Sequence, residues 1–377
     1  MNNRKETFDS NLQDCQHGGL YSVDSHKSNS IQIDFSSNLN PLGISKRVLS
    51  KLQSNIALAY NYPDPKCIKL KKKILEYIDS DRDFDIDHNL IAGNGATELI
   101  HYFASAFVKK KALVPIPTFC EYELACKRKE SIIQYSDSYH NDFHIDSDSI
   151  IRIANDPNNE ISSIFLCNPN NPTGKYSKKE IMNIIEKTDK KIKILLDESF
   201  IEFVDIQQKI TNNYFVNLIS EYKNLIILRS LTKTFGLAGL RIGYAISTRT
   251  NIDKLNHYLI SWNVNGLAQV AAIEALKDNI HLQSTLKNNT FERKRLYPLF
   301  GKNNRLRPIP TDANFYLIEI NDTKMSSTNL RDKLLKRNKI LVRDCKNFTG
   351  LNDKFIRVAI KTRKENNMLL KALEDAL

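Results

Sequence analysis

Ser230-Leu-Thr-Lys-Thr-Phe-Gly-Leu-Ala-Gly-Leu-Arg-Ile-Gly243 is the stretch on which the reading of this chain turns. It follows the apolar run Leu225–Leu228, so Lys233 lies just past the end of a buried strand. Ser230 and Thr232 place hydroxyls beside that lysine, and Arg241 follows a few residues later. A partly desolvated, cationic pocket lowers a lysine's pKa. The neutral amine so produced is the form that condenses with an aldehyde. Ser230, Thr232 and Arg241 suit the oxygens of a phosphate, the arginine as a charge-assisted fork, and the glycines let the backbone pass close by. A solvated lysine beside a structural turn is the bland alternative. The whole string, rather than the lysine alone, argues against it.

Working outward, further short apolar runs read as buried strands at Ala112–Ile116, Ile161–Cys167, Ile192–Leu196 and Ile242–Ile246. Between several of them lie helical patterns. Ser177-Lys-Lys-Glu180 has the form of a capping box, and Ile181, Ile184 and Ile185 follow at helical spacing. Strands alternating with helices predict an α/β fold with a mostly parallel sheet. The last hundred or so residues mix helices with strands such as Phe315–Ile320 and Phe355–Ala359, which predicts a smaller α+β domain. The expected organisation is an N-terminal arm over 1–45 packing with the small domain, a large domain over 46–275 and the small domain over 276–377. Residues 1–16 read as a polar arm.

In open parallel sheets ligands collect beyond the carboxyl ends of the strands, and the suspicious residues fall there. Asp197 ends one strand, where a carboxylate needs a partner. A protonated pyridine nitrogen would serve, and so would a helix N-cap or a salt bridge. Asn168-Pro-Asn-Asn-Pro-Thr-Gly174 is a rigid turn that presents amide side chains, with Asn171 suited to a phenolic oxygen. Ala92-Gly-Asn-Gly-Ala-Thr-Glu-Leu99 passes from a glycine-rich turn into a helix with Leu99, Phe103 and Phe107 on one face. The free N–H groups of that first turn suit a phosphate. Phe119 offers a ring to stack on an aromatic ligand, or a core side chain.

Composition bounds the rest. The chain has 377 residues, 41% hydrophobic and 26% charged, as expected of a globular protein with room for two domains. No apolar run reaches the roughly 18 residues that a membrane span needs, and no apolar segment follows the basic residues at the start, so the cytoplasm is the expected compartment. The net charge is +12, but the lysines are dispersed, with Lys71–Lys73 and Lys109–Lys111 the longest pure runs. That pattern suits the gathering of an anionic substrate better than nucleic-acid binding. The six cysteines and eight histidines show no metal-ligand spacing, and the cysteines are expected to be reduced core thiols rather than a disulfide or zinc framework.

With these residues in place, the chain resembles the fold-type I pyridoxal-phosphate enzymes, in the histidinol-phosphate aminotransferase branch. The likeness runs from about His17 to the C-terminus. Within that branch, His17-Gly-Gly19, Asp34-Phe-Ser-Ser-Asn-Leu-Asn-Pro-Leu-Gly43, Asn61-Tyr-Pro-Asp-Pro65 and Ile340-Leu-Val-Arg-Asp-Cys345 are most similar to threonine-phosphate decarboxylases. The resemblance implies pyridoxal 5'-phosphate as cofactor, with Lys233 as its Schiff-base lysine, Asp197 at the pyridine nitrogen and Asn171 at the phenolic oxygen. It implies a phosphate cup of Gly95, Ala96, Thr97, Ser230, Thr232 and Arg241. Tyr62 matches a tyrosine that reaches into the neighbouring subunit's site, which implies a homodimer with shared active sites. Arg357 matches the arginine that holds the substrate carboxylate. Arg343 and the loop with Asn40, Leu42 and Gly43 match positions around the distal, phosphorylated end of the substrate, and His17 matches a further substrate-binding position.

The implied reaction is decarboxylation of L-threonine O-3-phosphate or L-serine O-phosphate for the nucleotide loop of a cobamide. Amino transfer on a substrate such as histidinol phosphate is the alternative. One departure bears on that choice: Phe200 stands three residues after Asp197, where many aminotransferases of this fold place a tyrosine.

Overall fold

A computed structural model describes residues 15, 17–22, 31–78, 84–138, 142–204 and 213–377. The arm expected over 1–16 lies outside the described residues apart from Cys15. In chain order the strands are β1 (Ile33–Asp34), β2 (Leu90–Gly93), β3 (Lys111–Ile116), β4 (Ile132–Asp137), β5 (Ile161–Cys167), β6 (Lys193–Asp197) and β7 (Leu225–Ser230). They continue with β8 (Gly243–Ile246), β9 (Leu306–Pro308), β10 (Phe315–Ile320), β11 (Ile340–Leu341), β12 (Arg343–Asp344) and β13 (Phe355–Ala359).

Seven of these form one sheet in the order β2-β8-β7-β6-β5-β3-β4. β8 runs antiparallel to both its neighbours, and the other pairs are parallel. The apolar runs of β5, β6 and β7 belong inside because successive side chains point to opposite faces and both faces are covered. Leu166, Leu196 and Ile227 face one core with the helices Ile68–Ile78, Lys178–Lys187 and Gly266–Ala275. Phe165, Leu195 and Leu228 face the other, with the helices Ala96–Phe107 and Glu121–Arg128. Register then aligns the business ends: Cys167 pairs with Asp197, Asp197 with Leu228, and Ser230 with Gly243. The last residues of three adjacent strands thus share one edge of the sheet.

The capping box expected at Ser177 does not form. Ser177 is the N-cap of the helix Lys178–Lys187, but its side chain makes no capping bond. Its backbone N–H instead donates to Asn168 Oδ1 at 2.8 Å, which ties the helix start to the Asn-Pro turn. The helix still buries Ile181, Ile184 and Ile185, as their spacing predicts.

A second, antiparallel sheet of order β12-β13-β10-β9 packs under the helices Asn279–Gly301, Ser327–Asn338 and Arg363–Ala376. β1 pairs in parallel with β11, so the segment around residue 33 joins this smaller body. Among the described residues no helix is long and apolar enough to cross a membrane.

Beneath the aligned edge lies a buried ion pair. Arg229 Nη2 and Nε reach Glu198 Oε2 at 2.8 and 2.9 Å, with both side chains almost fully enclosed. Glu198 follows Asp197 directly, so this pair braces the strand end. Glu198→Ala should destabilise the fold by about 3–5 kcal/mol, because the buried Arg229 would lose its directly paired carboxylate, with Asn213 and the more distant Glu202 making up only part of it. Denaturant unfolding measures this, and a loss under about 1 kcal/mol would mean the guanidinium finds water or another acceptor.

Candidate active site

Beyond the carboxyl ends of β5, β6 and β7 opens a cavity of about 360 Å³. Its walls include Lys233, Asp197, Asn171, Ser230, Thr232, Arg241, Ala96, Thr97 and Phe119 from the large sheet and its loops. Arg343 and Arg357 of the small sheet, and His17 and Gly18 of the N-terminal segment, complete it.

Asp197 is 3% exposed. Its Oδ2 accepts from the Tyr122 hydroxyl at 2.8 Å and its Oδ1 from the Ser199 backbone N–H at 2.8 Å. Burial raises its pKa, while those two donors and the nearby Lys233 pull the other way. A cationic ring nitrogen in the cavity would favour the ionised form. Lys233 responds in the opposite sense: burial first, then the charges of Arg357 and Arg241, bring its amine down to about 8. A near-neutral amine beside a buried acid suits condensation with an aldehyde.

The phosphate end is built by close approach. Gly95 has φ +80° and caps the helix Ala96–Phe107 without any side-chain capping bond, so the first-turn N–H groups stay open to a ligand. A Cβ on Gly95 would collide with Arg241 Nη2, and one on Gly243 would lie 2.7 Å from the Ala96 nitrogen. Ser230 Oγ and Thr232 Oγ1 stand 2.7 Å apart on the other wall. Glycines are needed here because arginine, helix terminus and strand converge on one small hollow.

Asn171 accepts through Oδ1 from Arg357 Nη1. That leaves the donor end of its amide for a phenolic oxygen. Arg357 also donates through Nη2 to the Ser36 carbonyl at 2.8 Å, and its guanidinium lies 5.4 Å from the Phe315 ring centroid. Its Nε is buried with no hydrogen-bond partner. Arg343 lies directly opposite Arg357 across the β12–β13 pair. Arg343 Nη2 donates to Asn347 Oδ1 at 2.8 Å, and its guanidinium sits 5.3 Å from the Phe348 centroid. Like charges opposite one another in an antiparallel pair are unfavourable unless an anion lies between them. Asp344, whose two oxygens accept from Ser327 and Thr328, favours the charged form of Arg343 from nearby.

Not every expected residue faces the cavity. Asn40 is buried, but its Nδ2 donates to the Thr234 carbonyl and Thr285 Oγ1, both at 2.9 Å, and its Oδ1 accepts from the Leu42 N–H. It fastens a loop rather than lining the pocket. Leu42 is exposed, and the Gly43 carbonyl packs against Gly236 and accepts from His281. Tyr62 is 81% exposed and stacks on Trp262 at 4.6 Å, outside this chain's own cavity.

The structure also adds residues that the sequence reading missed. Tyr122 lies one helical turn after Phe119 and holds Asp197, so a turn-spaced aromatic pair was its only local signal. Ser36, Ser37, Asn38 and Leu39 line the pocket, and Ser36 fixes Arg357. Glu121 takes His17 Nε2 at 2.8 Å and His101 Nε2 at 3.1 Å. Burial alone would raise its pKa, but these two histidines hold it at about 2. The expectation of reduced cysteines fails at one pair: Cys15 and Cys120 form a disulfide across a separation of 105 residues. Folding brings together two residues that no sequence spacing connects.

The family model for class I and II aminotransferases matches residues 30–373. The chain belongs to that family. Its cofactor is pyridoxal 5'-phosphate, and the cavity's residues fit this group at the aldehyde, the ring nitrogen and the phosphate. A histidinol-phosphate aminotransferase of Methanococcus maripaludis is 30% identical over 91% of this chain and 89% of its own length. A relative from Caldanaerobacter subterraneus subsp. tengcongensis, named "Putative threonine-phosphate decarboxylase", is 35% identical over 89% of this chain and 88% of its own. Among solved structures, the histidinol-phosphate aminotransferase of Clostridium acetobutylicum is 34% identical with a TM-score of 0.81, covering 91% of this chain and 98% of that one.

The cofactor-free protein should capture added pyridoxal phosphate at a rate that rises with pH and levels off above about 8, the point to which Lys233 is lowered. Stopped-flow absorbance follows this, with Lys233→Ala as the blank. A rate still climbing past pH ~9.5, as for an ordinary lysine of pKa about 10.4, would place the amine in water.

Proposed function

We propose that this enzyme decarboxylates a phosphorylated amino acid, most simply L-threonine O-3-phosphate to (R)-1-amino-2-propanol O-2-phosphate. L-Serine O-phosphate to ethanolamine O-phosphate is the near variant, and the product fits the nucleotide loop of a cobamide. The observation that carries this reading is the Arg343–Arg357 pair, two buried guanidiniums in register on one cavity wall. A substrate with a carboxylate at one end and a phosphate at the other would give each guanidinium an anion to fork onto.

When bound, pyridoxal phosphate supplies an electron sink for a bond broken at the substrate's α-carbon. Asp197, held by Tyr122 and Ser199, keeps a proton on the ring nitrogen. Arg357, fixed by Asn171 and Ser36, orients the carboxylate. Arg343 and His17 hold the phosphate. After carbon dioxide leaves, Lys233 is the acid placed to return a proton to the α-carbon. Phe200 adds no hydroxyl near Asn171, which supports a reaction other than simple amino transfer.

The family names favour a second reading. A histidinol-phosphate-type aminotransferase would use the same cofactor cup, with Arg357 holding the carboxylate of its amino partner. Purified protein, pyridoxal phosphate and phosphothreonine should release carbon dioxide with no keto acid present. Turnover that depends on a keto acid, without gas, would decide for the aminotransferase.

We also propose a cytoplasmic homodimer. Ile56, Tyr60, Tyr62, Ile260 and Trp262 are exposed large hydrophobics of the kind that mark an interface, and Tyr62 would then reach the neighbouring subunit's cavity. Sedimentation equilibrium at micromolar protein should give twice the chain mass. A monomer mass would remove Tyr62 from any shared site.

A further inference from the structure

We propose that Cys15 and Cys120 are a redox modification site, whose disulfide latches residues 17–22 against the cavity wall. The inference rests on the cavity and not on which reaction occurs there. Cys120 itself lines the cavity, next to Phe119 and at the start of the helix Glu121–Arg128. Two residues beyond Cys15, His17 and Gly18 line the same cavity, His17 beside Phe119 and Glu121 and Gly18 against Ser36. The disulfide therefore ties to the Phe119–Glu121 side of the cavity a segment that runs on to Ser36.

The remaining contacts of this segment are slight. His17 Nε2 meets Glu121 Oε1 at 2.8 Å, but the histidine side chain is 52% exposed and so can leave that contact for water. The Gly19 N–H donates to Ser36 Oγ at 2.8 Å, and Gly18 lies so close to the Ser36 carbonyl that a Cβ there would clash. A glycine backbone threaded against Ser36 has no side chain to hold it. The covalent bond is the strongest anchor among the described residues.

Access and chemistry agree with a reversible couple. Cys15 and Cys120 are both partly exposed, whereas Cys67, Cys126 and Cys345 are buried thiols. Oxidation requires a disulfide of the glutathione class. The Cys15 thiolate attacks one of its sulfurs and expels one thiolate. Cys120, as thiolate, then attacks Cys15 Sγ in that mixed disulfide and expels the second glutathione thiolate. Two electrons pass to the oxidant, and the two thiol protons end on the two released glutathiones. A dithiol reductant reverses both steps. Cys15, His17 and Cys120 also place three potential metal ligands within 4.8 Å of one another, but sulfurs bonded to each other are not free to bind an ion.

The test uses the cofactor-loaded full chain in oxidised glutathione and in dithiothreitol. Peptide mapping without reductant should recover a Cys15–Cys120 crosslink from the first sample only. Amide exchange over residues 17–22 should be about tenfold or more faster in the second, because local opening is no longer restrained. Cys15→Ser should exchange at the fast rate in both buffers. Since no readout uses turnover, the outcome is independent of the substrate. Absence of the crosslink at any glutathione ratio would overturn the proposal, and so would identical exchange in the two buffers. Zinc retained in stoichiometric amount by the reduced thiols would overturn it in favour of a metal site.

Discussion

A carboxylate buried at the end of a central parallel strand is the constraint around which this molecule is arranged. Among the described residues Asp197 accepts hydrogen bonds from neutral donors, Tyr122 and Ser199, and the nearby Lys233 balances its charge in part. Burial raises its pKa and lowers that of Lys233 across the same cavity. Each group is held away from its comfortable ionic state in water. A site poised in this way binds a ligand that brings its own cation, aldehyde and phosphate better than it binds solvent. The Arg229–Glu198 pair beneath gives the strand end a rigid seat.

The two sheets meet this constraint from different sides. The large sheet supplies the cofactor's needs, and the small one supplies Arg343 and Arg357. The segment from Ile33 to Gly43 straps them together. Phe35 bonds to Leu341 and Ala359 on the small body, at 2.7 and 2.8 Å. Asn40 bonds to the Lys233 carbonyl and, through its side chain, to Thr234 on the large one. Between these anchors the Ser36 carbonyl receives Arg357. The asparagine expected to touch substrate thus sets the distance between the two halves of the site.

What the sequence disclosed follows from how local each signal is. The buried strands, the glycine turn before Ala96 and the Ser230–Gly243 string announce themselves by period and composition, because backbone geometry is decided within a few residues. Arg343 and Arg357 were legible only through resemblance, and that they stand opposite each other depends on pairing β12 with β13. Tyr122, Ser36 and the Cys15–Cys120 bond are contacts across long stretches of chain, made by folding alone. The Ser177 capping box failed for a similar reason: a tertiary hydrogen bond to Asn168 outcompeted a local one.

Selectivity within this pocket divides by the kind of force involved. Arg357 is fixed at both terminal nitrogens by Asn171 and Ser36, so on the proposed reading a carboxylate bound to it would have little freedom to tilt. Charge cannot separate substrates that share carboxylate and phosphate. On the proposed reading, the methyl group that distinguishes phosphothreonine from phosphoserine would be sensed by apolar walls, where Leu39 and Phe348 face the cavity. One methyl in such a wall discriminates by only about 1–3 kcal/mol. A pocket built on two arginines is therefore strict about charge and lenient about a single carbon.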